Sequence, residues 1–133
     1  MAILPSAPNG GELTPDKVIS RLFYFHSQAH FNHLQTRSFA EHKALDELYT
    51  GLETFKDEIS ELILGYVVPK RIGKFENIAI RTDMSNDQLL NALCKFADDL
   101  YDYGEMTKWW ALSNKAADLS GLGYKVKYLL TLL

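Results

Sequence analysis

The sequence predicts an all-α fold, a four-helix bundle with one long crossover between its second and third helices. Three observations predict it. Four stretches carry apolar residues at helical spacing. Three of them open on a helix-start signal, Thr14-Pro15-Asp16, Ser38-Phe39-Ala40-Glu41 and Ser85-Asn86-Asp87-Gln88. Between the second and third stretches lie about twenty residues with no helical period, enough to run the length of a bundle. At 133 residues, 47% hydrophobic and 23% charged, the chain is a single domain able to bury a core without disulfides.

Residues 1–13 hold two prolines and two consecutive glycines, and are expected to form a flexible arm ahead of a bundle over 14–133. Thr14 is the N-cap of the first helix, with proline at its first position; Val18, Ile19, Leu22, Phe23 and Ala29 carry its apolar face to about Gln35. The capping box at Ser38 and Glu41 opens the second helix near Phe39, and Gly65 is its expected stop. A connection of about two or three residues makes these two helices antiparallel neighbours. Residues 65–84 carry Pro69, two glycines and short β-branched patches; a crossover is favoured over a short strand pair. The third helix starts after Ser85, turns Leu89, Leu90, Leu93, Phe96, Ala97, Leu100 and Tyr101 inward, and stops at Gly104. The fourth runs from about Glu105 with Leu122, Val126, Leu129 and Leu133 inside. Gly121 and Gly123 within it imply a close backbone approach or a bend. Trp109 and Trp110 are adjacent, so one of them faces outward, available to a subunit contact. Two short turns and one long crossover are the connectivity of a ferritin-like bundle.

The formal charge of −3 gives no general attraction to nucleic acid or to an anionic membrane. No apolar run approaches ~18 residues, so no membrane span is expected. The start of the chain lacks the basic and apolar regions of a secretion signal. The lone Cys94 suits a reducing compartment and reads as buried filler. The expected location is cytoplasmic.

All four histidines, His26, His30, His33 and His42, fall in one stretch, followed on the second helix by Asp46, Asp57 and Glu61. Imidazoles and carboxylates on neighbouring helices are how a bundle builds a transition-metal site. His30 and His42 stand at similar distances before and after the turn, so an antiparallel hairpin brings them to one level, with Asp46 a turn beyond. Asp57 and Glu61 follow fifteen and nineteen residues after His42. At 1.5 Å per residue Asp57 is then roughly 22 Å away along the helix. One ion reaches both groups only if a second copy lies antiparallel across a two-fold axis. The Glu-x-x-His motif of a di-iron centre held inside one subunit is missing from the chain.

The order His30, eleven residues, His42, three, Asp46, ten, Asp57, three, Glu61 resembles the ferroxidase signature of the Dps family, the starvation-induced miniferritins. His30-Phe31-Asn32 and Leu45-Asp46-Glu47-Leu48-Tyr49 agree with it. The resemblance implies a hollow dodecamer that binds iron between subunits, oxidises Fe(II) with peroxide and stores the ferric product. It makes His30, His42, Asp46, Asp57 and Glu61 the iron ligands and catalytic groups of a di-iron or mononuclear site, with Asp46 a ligand or an orienting group. The chain departs from the pattern at Phe31, where the family has tryptophan, and at Thr36-Arg37, where it has Gly-Pro. The crossover is short for the family. The basic tail with which many members hold DNA is absent, so DNA binding is not carried over. The shortening suggests a divergent branch of viral or mobile-element origin.

Singly, these residues have plainer readings: His26 and His33 as surface or supporting residues, and Asp46 and Asp57 as solvated acids. Two other classes compete with a ferroxidase, a structural or interaction bundle that has lost catalysis and a zinc-binding protein using the same ligands. The expected partner is a second copy of the chain at least.

Overall fold

The computed structural model describes residues 13–67 and 70–132. It is a bundle of four helices, α1 (Pro15–Leu34), α2 (Phe39–Tyr66), α3 (Asn86–Thr107) and α4 (Trp110–Leu130), with a long connection between α2 and α3. Among the described residues there is no strand, so the crossover expectation holds over the strand pair. The arm expected over residues 1–12 lies outside the described residues. Leu13, counted with that arm, is instead buried, and its carbonyl accepts a hydrogen bond from the Tyr103 hydroxyl at 2.6 Å.

The caps form as the sequence dictates. Thr14 accepts from the Lys17 N–H with Pro15 behind it, and Ser38 accepts from the Glu41 N–H. At Ser85 the reciprocal box closes, the Gln88 side chain taking the Ser85 N–H at 3.0 Å. Each such cap is worth about 1 kcal/mol and fixes where the next helix begins.

The helix ends differ from expectation in three places. α2 runs one residue past Gly65, to a cap at Val67 in extended conformation. α3 runs through Gly104 to Thr107, and the left-handed cap falls on Lys108, φ 61°. α4 therefore starts at Trp110 rather than Glu105. Gly104 serves packing, not termination: a Cβ there would lie 2.8 Å from the Ser113 backbone nitrogen, so α3 and α4 touch main chain to main chain at their shared turn. Gly123 makes room for a side chain instead, since a Cβ there would meet the Cys94 sulfur at 2.7 Å. Gly121 meets nothing within 4 Å and points to solvent, so the close approach expected at both glycines holds for Gly123 alone.

The core is apolar and continuous, from Val18, Ile19 and Leu22 on α1, through Leu45, Leu48 and Leu52 on α2, to Leu93 and Leu100 on α3 and Leu119 and Val126 on α4. Burying each such side chain stabilises by about 1.5–3 kcal/mol. Tyr101, expected inside, is exposed and donates to Glu105; Tyr103 takes the buried place, three residues after Leu100 on the inner face. Leu122 and Leu129 are half-buried, and Leu133 lies outside the described residues. Trp109 stacks on Tyr66 at 4.3 Å, while Trp110 stays 56% exposed. Of Phe23-Tyr24-Phe25, only Phe25 is fully in the core.

The crossover runs beside α1, in the same direction. Asp16 accepts from the backbone N–H groups of Gly73 and Lys74, and Ser20 accepts from Glu76. Gln28 takes both polar groups of Arg81, at 2.8 Å each, and Asn32 donates to the Met84 carbonyl. These α1 residues sit at multiples of four, one stripe down the helix, and Ser20, Gln28 and Asn32 are buried by it. An extended segment without a sheet must find partners for its backbone, and α1 supplies them. Every neighbouring pair of helices is thereby antiparallel. Lys125 with Glu47 and Lys115 with Glu58 pair α2 and α4 in opposite directions along their length.

Candidate functional site

α1 and α2 are joined by Gln35–Ser38, four residues rather than two or three. The ring that faces His42 is that of His33, at 3.9 Å between centroids, not that of His30. His30 lies one turn away, 6.1 Å from His33, with its ring stacked on Tyr49 at 4.6 Å and 25°. Tyr49 is the hub of the seam, since His26, His30 and His33 all lie within 6.2 Å of its ring. Tyr49 entered the sequence reading only as the end of the word around Asp46, with no role of its own, although it stands seven residues after His42, two turns along the same face.

Hydrogen bonds hold three of the four imidazoles. His33 Nδ1 meets the His42 carbonyl at 3.2 Å. His42 Nδ1 meets Thr36 Oγ1 at 3.1 Å, and the same hydroxyl donates to the His33 carbonyl at 2.9 Å. His26 Nδ1 meets Lys56 Nζ at 3.3 Å. Partial burial and, next, the Lys56 ammonium push the His26 pKa below its ordinary value of 6.5, with Glu53 opposing. Lys56 turns toward α1, where it also lies 4.7 Å from the centre of the Phe23 ring.

The carboxylates stand apart from this seam. Asp46 is half-buried and borders a shallow groove between α2 and α4 with Lys43, Glu47, Thr50 and Leu129. Asp57 and Glu61 are exposed further along α2. At about 100° per residue, His42, Asp46, Asp57 and Glu61 span an arc of about 100°, with His42 at its edge toward α1, about 60° from the buried Leu45. They form one outward strip. Among the described residues no three histidine, cysteine, aspartate or glutamate side chains gather into a group able to hold a metal ion. Within one chain, then, the four predicted ligands on α2 share a face but do not converge, and the fifth, His30, stands on α1 against Tyr49.

The donor set suits a borderline divalent metal. Imidazole and carboxylate together accept Fe(II) or Zn(II), and imidazoles anchored through one ring nitrogen have the usual support of a metal-ligating histidine. Thr36 was missed as part of this arrangement. Its signal was position: a hydroxyl residue just before the capping Ser38, six residues ahead of His42.

Among the described residues no helix is long and apolar enough to cross a membrane. No solved structure matches the chain. An uncharacterized 14.6 kDa protein in the mobD-ri intergenic region of Enterobacteria phage T4 is 31% identical over 109 residues, which cover 82% of this chain and 78% of the phage protein. Neither comparison names the Dps miniferritins. The family model that matches covers residues 33–130, which takes in His33, His42 and the three carboxylates and leaves out His26 and His30. The chain belongs to DUF5856, a family of unknown function.

Proposed function

We propose that the protein is a Dps-like iron-binding protein, in which His42 of one copy and Asp57 and Glu61 of a second bind Fe(II) between subunits. The ferrous ion is the substrate; it gives an electron to peroxide or oxygen, and the ferric product is stored or kept harmless. The observation that carries this reading is His42, whose Nδ1 is held by Thr36 while its Nε2 is bonded by no described group. It lies on the outward strip that also bears Asp46, Asp57 and Glu61. A strip of donors about 28 Å long from His42 to Glu61 is useless to one ion within a chain. Two antiparallel copies bring its two ends together twice, once at each end of the interface. Neutral imidazole contributes affinity without charge, and the carboxylates favour the ferric over the ferrous state.

Fe(II) oxidation followed optically tests it. The wild-type protein is expected to outpace buffer, and His42→Ala with Glu61→Ala to fall to the buffer rate while keeping native helicity. Equal rates for wild type and the double variant would end the reading. Native mass adds a second arm: twelve chains of 15.1 kDa give about 180 kDa and two give about 30 kDa, whereas a monomer contradicts the reading.

A second reading, a structural or interaction bundle without catalysis, is favoured by one specific feature. His30, a ligand by resemblance, has its ring face covered by Tyr49 and its place opposite His42 taken by His33. The oxidation assay separates the two.

A further inference from the structure

The turn between α1 and α2 contains a closed set of hydrogen bonds whose donors and acceptors can be assigned by elimination. A carbonyl oxygen only accepts. The Thr36 hydroxyl, 2.9 Å from the His33 carbonyl, must therefore spend its one proton there; otherwise two oxygen lone pairs would face each other. With that proton committed, Thr36 Oγ1 can only accept from His42 Nδ1, 3.1 Å away, which makes that nitrogen an N–H. A neutral imidazole carries one proton, so His42 Nε2 is left with a bare lone pair. The same elimination holds for His33. Its Nδ1 faces the His42 carbonyl at 3.2 Å, so it carries the proton and its Nε2 does not. His26 comes out the opposite way, because the Lys56 ammonium only donates; His26 Nδ1 accepts and Nε2 keeps the proton. A metal ion binds a bare ring nitrogen. The chain thus sorts its histidines: half-buried His42, and buried His33 beside it, carry the proton on Nδ1, whereas His26 carries it on Nε2.

We propose that Thr36 is a positioning residue that holds His42 in the Nδ1–H tautomer, so that the Nε2 lone pair is ready for a divalent transition-metal ion, with His33 locked in the same tautomer beside it. The proposal rests on the metal-binding reading above for its ligand, but not for the tautomers. Thr36 acts from outside the ligand set. It orients the ring and raises its basicity as a hydrogen-bond acceptor does behind a metal-bound histidine, an effect that typically carries about 10–100-fold in metal affinity.

Nitrogen-15 NMR of the imidazoles, recorded where they are neutral, reads the tautomers directly, and titration with Zn(II) as a redox-silent probe reads the affinity. The wild-type protein is expected to show His33 and His42 protonated at Nδ1 and His26 at Nε2. Thr36→Val, which keeps the shape and removes the acceptor, is expected to shift His42 toward the Nε2–H form and weaken Zn(II) binding about 10–100-fold. Thr36→Ser is expected to restore both. A wild-type His42 protonated at Nε2, or a Thr36→Val protein with unchanged tautomer and unchanged affinity, overturns the role of Thr36. Wild-type protein with the expected tautomers but no Zn(II) binding overturns instead the metal-binding reading on which the ligand depends. The two failures are therefore distinct.

Discussion

The two hairpins of the bundle are built on opposite plans. Between α3 and α4 the chain removes side chains, so that Gly104 and Gly123 let one backbone settle against Ser113 and the other against Cys94. Between α1 and α2 it inserts large polar rings, and His33, His42, His30 and Tyr49 stack along the seam. A glycine contact gains dispersion at close range and exposes nothing to chemistry. A seam of imidazoles is a poor way to gain stability, since each ring brings polar nitrogens that need partners. The difference separates the half of the molecule that holds the fold from the half that offers donors.

Substitutions can break or sharpen that contrast. The largest effect is expected at Gly104, where an alanine methyl would be driven into the Ser113 backbone; Gly104→Ala should cost about 2–3 kcal/mol in urea unfolding. Next comes the crossover strap. Gln28→Ala removes both bonds to Arg81, and should cost about 1–3 kcal/mol and speed hydrogen exchange at the Arg81 amide. Gly121→Ala, on the same helix as Gly123 but facing open space, should stabilise by about 1 kcal/mol. If Gly104→Ala proves neutral, the claim of close backbone packing fails; if Gly121→Ala destabilises, that glycine has a partner outside the chain. The smallest effect is that of pH on the imidazole seam. The His26 pKa is lowered in the folded state, so the unfolded chain binds its proton more readily. Stability from this group is present above the ordinary pKa of 6.5 and is lost as pH falls from there through the folded value. Lys56→Met should raise the His26 pKa, as read by proton NMR.

Four helices, their caps and the crossover were legible because they rest on local rules: a hydroxyl before an apolar period, proline at the first position, a periodless gap. What misled was glycine. Gly104 reads locally as a stop, yet a helix can carry glycine through when a neighbouring backbone must come near, and only the packed pair α3–α4 shows that. The pairing of His30 with His42 failed for a related reason. It assumed that equal distances from the turn put two residues opposite each other, whereas the ring that meets His42 is the one α1 turns into the seam, that of His33. The polar stripe Asp16, Ser20, Gln28, Asn32 went unread in the sequence, since nothing local tells which extended segment will lie on it. The candidate ligands were legible as residue types on one face. Their supporting partners, Thr36 and Tyr49, were not, because support depends on three-dimensional neighbours.

The central claim is that donors from one copy complete the site of another, and subunit mixing tests it most directly. His42→Ala and Glu61→Ala proteins should each lack rapid Fe(II) oxidation. Unfolded together and refolded as an equal mixture, half of the pairs would be mixed, and each mixed pair would hold one site with both native residues. Recovery of about a quarter of the wild-type rate is the expected result. No recovery in a mixture shown to contain mixed pairs would contradict the claim.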